Sequence, residues 1–251
     1  GLSGAEAYAG YGRDSAPVLA RVGGGILWRG RFRTLLIGPE EERWDAVFIA
    51  RYPSAGAFLA MVTDPDYREA VKHRQAAVLT SRLIRCAETP LDAPITVAAG
   101  PAEAEATAPD RTVGPSPAQI AAAEALPPDR PTYMLNLVRL RARAAYPDGH
   151  PLAEAGRSGA EAYADYARHA LPALAEVGGE TVWRGRFETV LIGPEAERWD
   201  RIFLVRYPST EAFAALVDSP RYEAPILHRQ AAILTSRLIR CAEAAPGAAF
   251  G

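Results

Sequence analysis

Two spacings of apolar residues take turns along the chain. Helical spacing comes first: Tyr8, Tyr11, Val18, Leu19 and Val22 fall on one side of a helix. It opens at Ser3-Gly4-Ala5-Glu6, a Ser with Glu three positions on, and stops at Gly23-Gly24-Gly25. Pro17 lies inside this span and is expected to kink or break it. Strict alternation follows over Ile26–Ile37, with Trp28, Gly30 and Phe32 on one face and Arg29 and Arg31 on the other. Gly38-Pro39 and an acidic turn lead to a second strand, Trp44–Tyr52, ended by Pro53 and by Ser54, which caps the next helix. That helix carries Phe58, Leu59 and Val62, pauses at Asp64-Pro65, and resumes through Tyr67 and His73 to about Leu79. Ser81–Cys86 is a last strand, so the order is α-β-β-α-β.

The same pattern returns at a constant offset of 155 positions (Trp183 against Trp28, 183 − 28). Ser3–Glu88 lies over Ser158–Glu243 without a gap, and about two-thirds of the aligned positions are identical. A period this long is a repeated domain, since solenoid units recur every ~20–50 residues. The second half adds an opening strand, Thr132–Leu140, and so reads β-α-β-β-α-β, the split βαβ, ferredoxin-like order. One side of such a sheet is covered by its helices and the other is apolar and must be buried as well. No equivalent strand precedes Ser3; an upstream extension of the natural chain, Ile95–Val97, or a neighbouring chain would have to supply it. Three segments follow: residues 1–90 as a first ferredoxin-like domain, 91–130 as a Pro/Ala-rich linker, and 131–245 as a second domain. Most of the linker is expected to be mobile or extended, with a short helix over Ser116–Leu126, capped by Ser116 with Pro117 at its first position.

Composition changes this picture little. A formal charge of −2 and apolar content near half describe an ordinary globular protein of two domains, with no basic field for nucleic acid and no apolar run for a membrane. Arginine supplies nearly all the positive charge, Lys72 being the only lysine. Cys86 and Cys241 occupy equivalent positions at the ends of the two repeats, too few and too far apart for a disulfide framework or a zinc site. No signal peptide or lipidation motif opens the sequence, which makes the cytoplasm the default location.

An ordered set of residues in the second repeat is similar to the DUF1330 family: Tyr163-x-x-Tyr166, Pro172, Gly178-Gly179, Trp199-Asp200, Tyr207-Pro208-Ser209, Pro220-x-Tyr222, His228-Arg229-x-Ala231 and Ser236-Arg237-Leu238. The first repeat carries the same set through Tyr8, Tyr11, Pro17, Gly23-Gly24, Trp44-Asp45, Tyr52-Pro53-Ser54, Pro65-x-Tyr67 and His73-Arg74-x-Ala76. The resemblance implies the dimeric α/β-barrel superfamily. It therefore implies an α+β fold of two tandem ferredoxin-like domains that press their open sheet faces together into a pseudo-dimeric barrel within one chain. Further pairing into a homodimer is left open. That superfamily hosts cofactor-independent oxygenases, lactone isomerases, haem peroxidases and plain binding proteins, and a shared fold does not choose among them.

Candidate chemistry is sparse. His73 and His228 are candidate acid–base groups, because imidazole titrates nearest neutral pH, and Arg74 and Arg229 beside them are candidate anion clamps. The bland reading ties each Arg to a strand and packs each His beside it. Arg29 and Arg184, with Arg31 and Arg186, would line a barrel if their strand face points inward, which the Trp28/Gly30/Phe32 face leaves to them. Asn136 is the one polar residue among Met134, Val138 and Leu140 on its strand face and needs a partner, backbone or ligand. Tyr166 is a candidate ligand contact, although helical spacing equally places Tyr8, Tyr11, Tyr163 and Tyr166 in the core. His150 and His169 have no counterparts in the first repeat and read as surface residues. No nucleophile elbow, phosphate-cradling loop or metal-spaced ligand set occurs, and no motif marks a haem pocket, so no cofactor is expected. The expectation is a small-molecule-binding protein. It is either a cofactor-free oxygenase or isomerase acting on a small acidic or aromatic substrate, or a non-catalytic binding or assembly protein of the same fold.

Overall fold

The computed structural model describes residues 1–93, 110 and 112–244. Ile95–Val97 lies outside them. The chain divides into two compact units, Gly1–Phe32 with Trp44–Ser81 and the segment from Glu243, and Arg33–Arg43 with Arg82–Ala242.

In the first unit, helix α1 (Gly4–Arg21) starts on a full capping box. The Ser3 hydroxyl accepts from the Glu6 N–H at 3.2 Å and the Glu6 carboxylate accepts from the Ser3 N–H at 2.7 Å. Pro17 neither ends nor interrupts α1, contrary to the sequence expectation; the next residue, Val18, is buried to 1% exposure and anchors the last turn. The helix ends where Gly23 takes φ +74°, a conformation that a side chain disfavours. Strand β1 (Gly25–Ile37) starts in this unit and pairs antiparallel with β2 (Ala46–Arg51), setting Arg29 opposite Phe48 and Trp28 opposite Ile49. Ser54 caps α2 (Ala55–Thr63), and Asp64 with Pro65 restarts the chain as α3 (Pro65–Ala77), which packs along α1.

The second unit holds the complete ferredoxin-like repeat. Its strands are β4 (Thr132–Leu140), β5 (Glu180–Ile192), β6 (Arg201–Tyr207) and β7 (Ile233–Glu243), hydrogen-bonded in the order β7-β4-β6-β5 with every pairing antiparallel. In repeat numbering that is 4-1-3-2. β3 (Leu83–Glu88) extends the sheet beyond β5, and β1 lies next to β7 in the strand order. Helix α5 (Gly159–Glu176), with its own Ser158/Glu161 capping box, packs along α7 (Pro220–Ala232), and the shorter α6 (Thr210–Val217) precedes α7. Met134, Val205 and Tyr207 meet Ala173, Leu174 and Leu216 in one core cluster, which identifies the helix-covered face of the sheet. Tyr133, Leu137, Ile239 and Cys241, which alternate with that set, are also buried, so both faces of the sheet are out of water.

The described part of the linker is docked on the second unit. Helix α4 (Pro117–Glu124) opens on a Ser116/Gln119 capping box, and the Gln119 amide donates to the Gly38 carbonyl at 2.8 Å. Thr112 accepts the Ser236 N–H at 2.8 Å. Asp129 receives Arg33 and Arg240, each at 2.9 Å, and Arg240 is only 1% exposed. A guanidinium that deep needs partners for its charge and its donors. The carbonyls of Ala123 and Pro127 and the Thr210 hydroxyl also accept from its terminal nitrogens, and its buried Nε has no hydrogen-bond partner among the described residues.

Candidate functional site

Cross-strand partners share a sheet face. Arg184 stands opposite Phe203, Asn136 opposite Phe203 and Leu238, and Phe203 and Leu238 pack into the helix-side clusters. The strand arginines are therefore under the helices, not on the opposite face as the sequence alternation was read. The reason lies in the other face: a Cβ on Gly185 would come within 2.4 Å of the Trp183 ring and 2.9 Å of Cys86 Cβ, so tryptophan covers glycine there. In the first unit Arg29 stands opposite Phe48, the counterpart of Phe203 at the 155-residue offset.

The second unit gathers two sets of polar side chains around α5 and α7. The first is aromatic and cationic. Tyr163 and Tyr166 are one helical turn apart with ring centroids at 5.4 Å, and the Tyr166 and Tyr222 hydroxyls are 2.7 Å apart. Arg201 lies over the Tyr163 ring at 5.9 Å, a cation–π distance. Burial pushes the Tyr163 and Tyr222 phenols well above their ordinary values, while the charges of Arg229, and of Arg201 at Tyr163, draw them partly back. Arg229 is itself buried; it donates to the Val113 carbonyl at 2.8 Å and to the Ser236 hydroxyl at 3.4 Å. Asn136 donates to the Met134 carbonyl of its own strand at 3.0 Å, and Arg184 to the turn after β3, through the carbonyls of Pro90, Leu91 and Ala93.

The second set is centred on His228. The Tyr146 hydroxyl lies 2.8 Å from His228 Nδ1. His150 stacks on the Tyr146 ring at 4.6 Å and 11°, and His169 lies 6.4 Å from the His228 ring at 19°. Asp165, one turn before His169 on α5, is held by Arg168 at 2.9 Å and by Arg157, so its carboxylate is already neutralised. Burial lowers the His228 pKa below the usual histidine value; Asp165 opposes this, and His150 and His169 add to it. The imidazole is neutral at pH 7 and partly open to solvent. Sequence reasoning read His150 and His169 as surface residues and did not weigh Tyr146; His169 is exposed, and its replacement of Asp14 was the available signal.

In the first unit His73 is half-exposed, with Nε2 3.4 Å from Asp14, the counterpart of His169. The Arg74 guanidinium donates to Ser81 at 2.8 Å, as Arg229 does to Ser236. Tyr11 and Tyr67 join hydroxyls at 3.1 Å, as Tyr166 and Tyr222 do. The tyrosine pair and the Arg–Ser tie thus recur in both repeats, whereas at the positions of Arg201 and His169 the first repeat has Ala46 and Asp14. Among the described residues no group of three or more His, Cys, Asp or Glu could hold a metal ion, and no helix is long and apolar enough to cross a membrane.

Comparison with known proteins agrees with the repeat. A comparison with curated proteins finds no match. The crystal structure of a methylated RPA0582 protein is 46% identical, with a TM-score of 0.50, over 54% of this chain and 97% of its own. A second structure of RPA0582, from Rhodopseudomonas palustris and described as of unknown function, is 45% identical with a TM-score of 0.49, over 53% of this chain and 98% of its own. A putative monooxygenase from Lactobacillus acidophilus is 13% identical with a TM-score of 0.43, over 95% of this chain and 84% of its own. The family model described as a domain of unknown function, DUF1330, matches twice, over residues 2–85 and 152–240. These two matches take in more than half of the sequence, and the chain belongs to the DUF1330 family.

Proposed function

We propose that the second repeat binds a small, partly apolar molecule bearing an acidic or carbonyl oxygen, and that the protein acts on it as a cofactor-independent oxygenase or isomerase. The observation that carries this reading is the Tyr146 hydroxyl 2.8 Å from His228 Nδ1, in a partly open group with His150 and His169, whereas His73 faces Asp14. A neutral imidazole in partial contact with solvent is suited to hydrogen-bonding a ligand. Arg201 and Arg229 add positive potential among the nearby tyrosines, which favours an anionic group.

The architecture in this reading is a pseudo-dimeric barrel of two tandem ferredoxin-like repeats. Reciprocal contacts support it. Thr89 donates its N–H to the Arg184 carbonyl at 2.9 Å, and Ala244, at the same 155-residue offset, donates to the Arg29 carbonyl at 3.0 Å. Such exchange of equivalent partners is what a two-fold relation produces.

One observation favours the non-catalytic alternative. Arg229 spends its donors on Val113 and Ser236, and Arg74 makes the same serine bond, so this arginine serves as a helix-to-strand tie in both repeats. Native mass spectrometry of the purified protein, followed by thermal titration with benzoate and related aromatic acids, separates the readings. A retained small molecule, or a melting shift with an acid that is lost in His228→Ala, is expected. Equal responses in wild type and His228→Ala, with no retained molecule, would overturn the assignment to His228.

A further inference from the structure

We propose that Tyr146 is the positioning residue of this site: its hydroxyl donates to His228 Nδ1, fixes the neutral imidazole with its proton on Nε2, and so presents an N–H to the ligand. The inference rests on the reading of His228 as the ligand-facing group and adds which kind of ligand atom it meets.

The direction of the hydrogen bond follows from what surrounds the pair. Tyr146 is 8% exposed, and a buried phenolic O–H has to find an acceptor. The His228 Nδ1 at 2.8 Å is the acceptor that its geometry offers. Among the described residues, Asp165 and His150 are engaged elsewhere, and His169 meets the ring face-on. From α5, Asp165 is held by Arg157 and Arg168, and His169 faces the His228 ring flat rather than edge-on. From the loop before α5, His150 stacks on Tyr146 and accepts the Leu152 N–H at its own Nδ1, at 3.1 Å. Among the described residues no carboxylate forms an ion pair with His228, whereas His73 has Asp14. Burial keeps the ring neutral, and a neutral ring with Nδ1 occupied as acceptor carries its hydrogen on Nε2. His150, clamped flat over the phenol, keeps the hydroxyl aimed.

The chemical consequence is specific. At neutral pH the Nε2 position offers a hydrogen bond and no lone pair. It suits a carbonyl, carboxylate or enolate oxygen, and it stabilises negative charge that develops there. It is unsuited to taking a proton from the ligand in its resting state.

The test reads the tautomer in ligand-free protein, so it succeeds or fails independently of whether a ligand is found. Long-range proton–nitrogen NMR of histidine-labelled protein at pH 8 should show His228 with a pyridine-like Nδ1 and a protonated Nε2. Tyr146→Phe should lower the ratio of the two tautomers about tenfold, the weight of one hydrogen bond, and raise the His228 titration midpoint. His228→Gln, which keeps a donor near Nε2, should retain any benzoate response that His228→Ala loses. A protonated Nδ1 in the wild type overturns the proposal, and that spectrum is decisive even if Tyr146→Phe fails to fold. An unchanged tautomer ratio in a folded Tyr146→Phe overturns it as well. A protonated Nε2 with no response to any acid leaves the tautomer assignment standing and counts against the functional reading alone.

Discussion

Arg237 reaches across the sequence to Glu42, Nε to Oε2 at 2.8 Å, and the equivalent residues pair the other way round, Arg82 with Glu197 at 2.7 Å. Two arginines at the same place in the repeat each take the glutamate of the opposite repeat. Arg237 is the deeper of the two. Its side chain is 10% exposed against 31% for Arg82, it also binds Asp110 at 2.7 Å, and it lies 5.5 Å from the Trp199 ring.

Truncating these arginines should therefore have unequal effects. Arg237→Met removes the cation that Glu42 and Asp110 share and should cost about 3–5 kcal/mol in denaturant unfolding. Arg82→Met should cost about 1 kcal/mol or less. In a charge swap, Glu42→Arg should restore part of what Arg237→Glu loses; a purely additive double variant would show that the pair is not coupled.

Acid should destabilise the protein in two stages. His228 has a folded pKa below its ordinary 6.5, so the unfolded chain binds its proton first, and stability falls as the pH drops through that value and below. Asp110 is held down to about 2: burial alone would raise it, but the bonds from Arg237 and Thr235 outweigh that effect. Its contribution is present above its ordinary 3.8 and is lost between there and about 2. Melting temperatures measured across this range should lose the first stage in His228→Gln and the second in Asp110→Asn.

Leu204 and Ile49 hold equivalent positions, yet Leu204 is 0% exposed on β6, which is hydrogen-bonded by β4 and β5, while Ile49 is half-buried on β2, which pairs with β1. Leu204→Ala should cost about 2–5 kcal/mol. Ile49→Ala should cost under about 2 kcal/mol, because it removes less area from the interior. Equal losses in chemical denaturation would contradict the difference in burial.

Both thiols should be inert in the native state. Burial pushes Cys86 up to about 12 and Cys241 higher still, so neither supplies thiolate at neutral pH. A colorimetric thiol reagent at pH 8 should label two cysteines in denaturant and none in buffer; rapid labelling of Cys86 would show its strand end opening.

Much of this fold could be read from spacing alone. The capping boxes at Ser3, Ser116 and Ser158, the Asp64-Pro65 restart, and the β-α-β-β-α-β order of the second half are local signals, and each appears where the pattern placed it. The candidate site was less legible. Alternation at Arg184 and Arg186 showed two faces but not which one the helices cover. Linear spacing does not show that His150 and His169 come near His228, although His169 is exposed, as its reading as a surface residue has it. Asp110 and Asp129 were hidden in a Pro/Ala-rich stretch whose composition masks two carboxylates, each bound by a buried arginine.

Asp129 also bears on how the two halves diverge. Arg240 and Arg85 occupy the same place in the repeat, but Arg240 is enclosed with Asp129, Thr210 and two carbonyls, whereas Arg85 makes a half-exposed pair with Glu188 at 2.7 Å. Inheritance treats two such residues differently. Arg85 is free to drift, one neutral step at a time. Arg240 and Asp129 form a lineage lock: a change in either strands a buried charge, so the pair passes on intact or is replaced together.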